Sequence, residues 1–63
     1  MIDVTGLNDV NYTINAELIE RIEELPDTVI TLTSGKKIIV KESRQEIKKL
    51  IIEYKKKIFN RDL

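Results

Sequence analysis

Five lysines gather toward the C-terminal end of this 63-residue chain, Lys48, Lys49, Lys55, Lys56 and Lys57, and two apolar side chains, Ile52 and Phe59, stand among them. Ammonium groups so placed can neutralise phosphates, touch an anionic membrane surface or meet an acidic protein. On a helix Ile52 and Phe59, one heptad apart, share a side. Either the helix buries a wide arc against its own sheet, or Ile52, Phe59, Lys48, Lys55 and Lys56 form an exposed ridge that contacts a second subunit or another protein. Catalytic chemistry has no comparable candidates. Histidine and cysteine are absent, which removes the usual bases, nucleophiles and zinc ligands. With only Gly6 and Gly35 there is no glycine-rich phosphate loop. The carboxylates run along an open strand rather than toward a pocket, and so short a chain has little room for a substrate cavity of about 300 Å³ or more. A protein that is not an enzyme, with no cofactor and no metal, is expected.

The lysines fit nucleic acid poorly. Strong binders are basic overall and interleave aromatics or a groove-reading motif, whereas net charge here is zero and Phe59 is the one aromatic near the cluster outside the core stripe. A small regulator binding nucleic acid through Lys48, Lys49, Lys55, Lys56 and Lys57 is therefore the runner-up. Docking of the helix on a membrane surface competes with the sheet for the same apolar stripe. No membrane span is expected either, since the longest apolar runs, Ile38-Ile39-Val40 and Leu50-Ile51-Ile52, are three residues against the roughly 20 required. The N-terminus has no signal-peptide pattern, and a cytoplasmic location is the expectation. Charge is divided along the chain: residues 1–27 hold seven acids and one base, a net of −6, and residues 28–63 ten bases and four acids, a net of +6. Such halves can be solvated faces or a dipole that docks on a charged partner.

The elements that must position these residues can be read from period and parity. Ile2, Val4, Val10, Tyr12 and Ile14 all sit at even positions, the period-two pattern of strands with one buried face. A three-residue loop, Leu7-Asn8-Asp9, keeps the two sets in phase by pairing Val4 with Tyr12 and Ile2 with Ile14, with Asp9 in the left-handed region. The same parity in Thr28–Ser43 demands a three-residue Thr33-Ser34-Gly35 loop that sets Ile30 opposite Ile38, Gly35 taking the positive φ. Val29 and Ile39 then fall on the other face, as in a curled sheet whose second side is partly covered.

Between the hairpins Leu18, Ile19, Ile22 and Leu25 recur at helical spacing, but a two-turn helix is marginal alone. Hairpins on each side favour a strand over 19–24 after a turn at Asn15–Leu18, closed by Pro26-Asp27. Ser43-Arg44-Gln45-Glu46 is a capping box. Beyond it Ile47, Leu50, Ile51, Tyr54 and Ile58 form one apolar stripe, predicting a helix over about 44–60 that covers the sheet. The expected architecture is one α+β domain over residues 1–63, an antiparallel β-meander of about five strands (1–41) in a curled sheet, capped by a C-terminal helix (43–60). A 63-residue core without disulfides leaves a narrow stability margin, which self-association would widen.

The order of these signals resembles the small flagellar FlbD family. The matching residues are Met1–Thr5 with Leu7-Asn8, then Ile14-Asn15, Leu18–Glu20 and Ile22-Glu23, then Pro26–Thr33, Gly35–Lys37 and Val40–Ser43, with Ile52–Lys55 in the helix. Pro26–Thr33 followed by Gly-Lys-Lys and Val-Lys-Glu-Ser is the most specific stretch. Asp9 stands where the family usually has glycine, Ala16 where proline is common and Ser34 where asparagine is. The resemblance implies a cytoplasmic accessory protein of bacterial flagellar motility, linked with swarming and motor power, whose partners are flagellar motor or assembly proteins. It implies no reaction and no cofactor.

Overall fold

The structure is a computed structural model that describes residues 1–60. Two antiparallel hairpins build the strands. β1 (Ile2–Thr5) pairs with β2 (Asn11–Ile14), setting Val4 opposite Tyr12 and Ile2 opposite Ile14. The Gly6 N–H donates to the Val10 carbonyl at 2.8 Å, and Asp9 turns the chain at φ 66°. A 3₁₀ turn, Ala16–Leu18, capped by the Asn15 side chain, leads into β3 (Ile19–Glu24). β4 (Thr28–Leu32) and β5 (Lys37–Val40) form the second hairpin, with Ile30 opposite Ile38 and Gly35 at φ 94°. Both loops thus have the length that parity requires, because a slip of one residue would turn every apolar side chain to the wrong face.

The strands divide into two sheets, β1-β2 and β3-β4-β5, where a single curled meander was expected. β2 and β3 do not pair. The sheets meet instead where β1 runs out alongside β5: Gly6 bridges Val40, the Lys41 N–H donates to the Thr5 carbonyl at 2.7 Å, and the Leu7 N–H to the Ile39 carbonyl at 3.3 Å. Gly6 is buried at this seam, and a Cβ there would lie 2.7 Å from the Tyr12 ring.

Helix α1 (Arg44–Asn60) lies across both sheets. Its start is fixed as the capping box predicts: the Ser43 N–H donates to Glu46 Oε1 at 2.9 Å, and the Glu46 N–H to Ser43 Oγ at 3.1 Å. The core comprises Ile2, Val4, Ala16, Ile30, Val40 and Ile47, with Leu50, Ile51 and Tyr54 of the helix half-buried against it. Each fully enclosed isoleucine contributes roughly 1.5–3 kcal/mol by leaving water. Two members of the expected apolar sets fall outside the core. Val10 sits at the hairpin loop and is exposed, and Ile58 is 38% exposed because the last turn of α1 lies beyond the strands' cover.

Candidate protein-contact surface

Ile47, Leu50, Ile51 and Tyr54 commit one side of α1 to the sheets. Ile52 and Phe59 are therefore turned away, and they are 54% and 78% exposed. The alternative in which the helix buries them against its own sheet does not hold, since none of the strands covers that side among the described residues. Gln45, Lys48, Lys49, Ile52, Glu53 and Lys56 share this outward face, and Phe59 extends it by just under one turn. Lys55 departs from the expected cluster. Its Nζ lies 3.5 Å from Glu17 Oε2 in the 3₁₀ turn, so it braces the helix against the strands rather than lining the ridge beside Lys48 and Lys56.

The ridge is held rigid from its N-terminal end. Besides the capping box, Glu24 at the end of β3 accepts from the Arg44 N–H at 3.0 Å, bringing a carboxylate to the positive end of the helix dipole. Lys57 occupies the last turn, where a cation meets the negative end. At the seam between the sheets the Thr5 N–H donates to both carboxylate oxygens of Glu42, at 2.9 and 3.0 Å. Burial raises the Glu42 pKa, but the Thr5 and Glu42 backbone N–H groups, the Thr5 side chain and Lys41 together outweigh it, and the carboxyl is held below its ordinary value. Lys41 also reaches Asp9 across the first hairpin's loop. The sequence offered no signal for Glu24 or Glu42, because each works through a backbone group far away along the chain.

A second apolar surface lies on the back of β3-β4-β5. Glu23, Val29 and Ile39 stand in one row across the three strands. Together with Leu25, Asp27 and Lys37 they line a shallow depression, in which Leu25 is 92% and Ile39 45% exposed. The partial cover expected on this side is present: Thr31 is buried and Val29 half-buried, while Ile39 lies open. The readable signal was that β4 and β5 carry apolar residues on both faces.

Among the described residues no three acidic side chains converge as a metal site, and no helix is long and apolar enough to cross a membrane. A family model described as flagellar and swarming motility proteins, FlbD, matches residues 1–59. Comparison with curated proteins finds no match, and comparison with solved structures finds none.

Proposed function

Because this chain belongs to the FlbD family of flagellar and swarming motility proteins, we propose that it is a non-enzymatic, cytoplasmic accessory protein that supports motor power or swarming by contact with a flagellar motor or assembly protein. The observation that carries this reading is the exposed Ile52 and Phe59 pair on the outward side of a helix whose inward side is core. A large aromatic beside an aliphatic anchor, rimmed by Lys48 and Lys56, has the make-up of a contact hot spot. The lysine rim favours an acidic partner surface. Phe59→Asp should abolish swarming in cells while the purified variant keeps its fold by circular dichroism. Full swarming by that variant would rule the ridge out.

Lys48, Lys49 and Lys56 on one face favour a second reading, a nucleic-acid-binding regulator of flagellar genes. Glu53 on the same face and the engagement of Lys55 by Glu17 weaken it. If it held, affinity would drop by about 10³ or more between low and physiological salt as counterions are released. Weak binding, or none, is expected even at low salt.

A further inference from the structure

The ridge and the back of the sheet both expose apolar side chains and carry net charge of opposite sign, Lys48, Lys49 and Lys56 against Glu53 on the ridge and Glu23 and Asp27 against Lys37 on the sheet. From Ile52 to Phe59 the ridge runs about 10 Å along the helix. The row Glu23, Val29, Ile39 crosses three strands, about 10 Å at the ordinary strand spacing. Along the ridge from the Phe59 end come Lys56, Glu53, then Lys49 and Lys48, three bases against one acid. Across the depression from the Leu25 end come Glu23 and Asp27, then Lys37. With Phe59 seated on Leu25 and Val29, and Ile52 toward Ile39, Lys56 meets Asp27 and Glu53 meets Lys37. Arg21, on the same face, is turned to Glu23 at 3.9 Å and leaves Asp27 without that competitor.

We infer that the back of β3-β4-β5 is the seat for the helix ridge of a second copy of this chain, so that copies associate head to tail. The inference rests on the reading of the ridge as a contact surface. The two surfaces are different parts of the molecule, so the contact is heterologous: each added copy presents a fresh ridge or a fresh seat, and growth continues unless a ring closes.

Sedimentation of the full chain tests this. The wild-type mass should rise with concentration beyond that of a dimer. Phe59→Asp and Ile39→Asp should each weaken association about tenfold or more, as loss of a hot-spot side chain does. An equimolar mixture of the two should restore a 1:1 dimer that grows no further, since one supplies an intact seat and the other an intact ridge. Should Ile39→Asp fail to fold, the exposed pair Asp27→Lys and Lys56→Glu serves the same purpose, each weakening association alone and recovering it when mixed. A wild type that is monomeric at millimolar concentration overturns the inference, as does a wild type that stops at a dimer while the mixture is no better than its components. A monomeric wild type whose Phe59→Asp variant still loses swarming leaves the proposed function standing. Head-to-tail growth lost in Phe59→Asp with swarming intact removes that function and keeps the inference.

Discussion

The two ends of helix α1 obey the same apolar period and meet opposite fates. At its start Ile47 is wholly enclosed, and the backbone is clamped by Ser43, Glu46 and Glu24. At its end Ile58, on the same stripe, is exposed. Period alone cannot distinguish a residue that holds the fold from one that greets a partner. What separates them is how far the strands extend beneath the helix, which is set by two hairpins of four to six residues per strand.

The sharpest way to break this contrast is to empty the enclosed end. Ile47→Ala should cost about 2–5 kcal/mol, enough to unfold much of a domain this small, and urea titration would register it as a collapse of the midpoint. A loss under about 1 kcal/mol would mean that the start of the helix is no better anchored than its end. The clamp comes next. Ser43→Ala removes the acceptor for the Glu46 N–H and should cost roughly 0.5–2 kcal/mol. Glu24→Gln should cost less, and the Arg44 amide should exchange faster in hydrogen-exchange measurements.

Acid sharpens the same contrast. The Glu42 carboxyl is held below its ordinary value in the folded chain, so the unfolded chain binds its proton first as pH falls. The stabilisation is therefore fully present above the ordinary glutamate pKa and is lost as pH drops through the folded value. The difference in stability between wild type and Glu42→Gln should accordingly shrink on acidification below about pH 4.5, the ordinary glutamate value. A difference independent of pH would refute this account. The smallest effect on stability belongs to Phe59→Asp, which should shift the unfolding free energy by no more than about 0.5 kcal/mol, whatever it does to swarming.

Much of this fold was legible because parity is unforgiving. Val4 with Tyr12, Ile30 with Ile38, Asp9 and Gly35 at positive φ, and the Ser43 to Glu46 cap all follow from counting residues against a period of two or a turn of helix. The strand at Ile19–Glu24 was harder, since its spacing also suits a helix; pairing with β4 decides it. The split into two sheets was not legible, because it depends on β1 choosing β5 rather than β2 choosing β3, a choice between distant strands that local pattern does not encode. The ridge was legible as a pair of residues and illegible as a surface, since its exposure depends on which side of the helix the sheets cover. The contact of Lys55 with Glu17 was illegible for a related reason: Glu17 lies in a turn whose position against the helix no local period reports.

The seam at Gly6 and Val40 also sets an order of events in folding. Each hairpin closes over a few residues, on a timescale of about 1–10 μs, whereas the seam joins Thr5 to Glu42, 37 positions along the chain, and must overcome the entropy of a long loop before any contact repays it. The hairpins therefore come first and the seam last. Glu42→Gln should accordingly speed unfolding while leaving the refolding rate nearly unchanged in stopped-flow measurements; a slowed refolding limb would place the seam in the folding nucleus. Once folded, the domain should come apart at this same line, with the β1-β2 hairpin detaching as a unit while β3-β4-β5 stays paired.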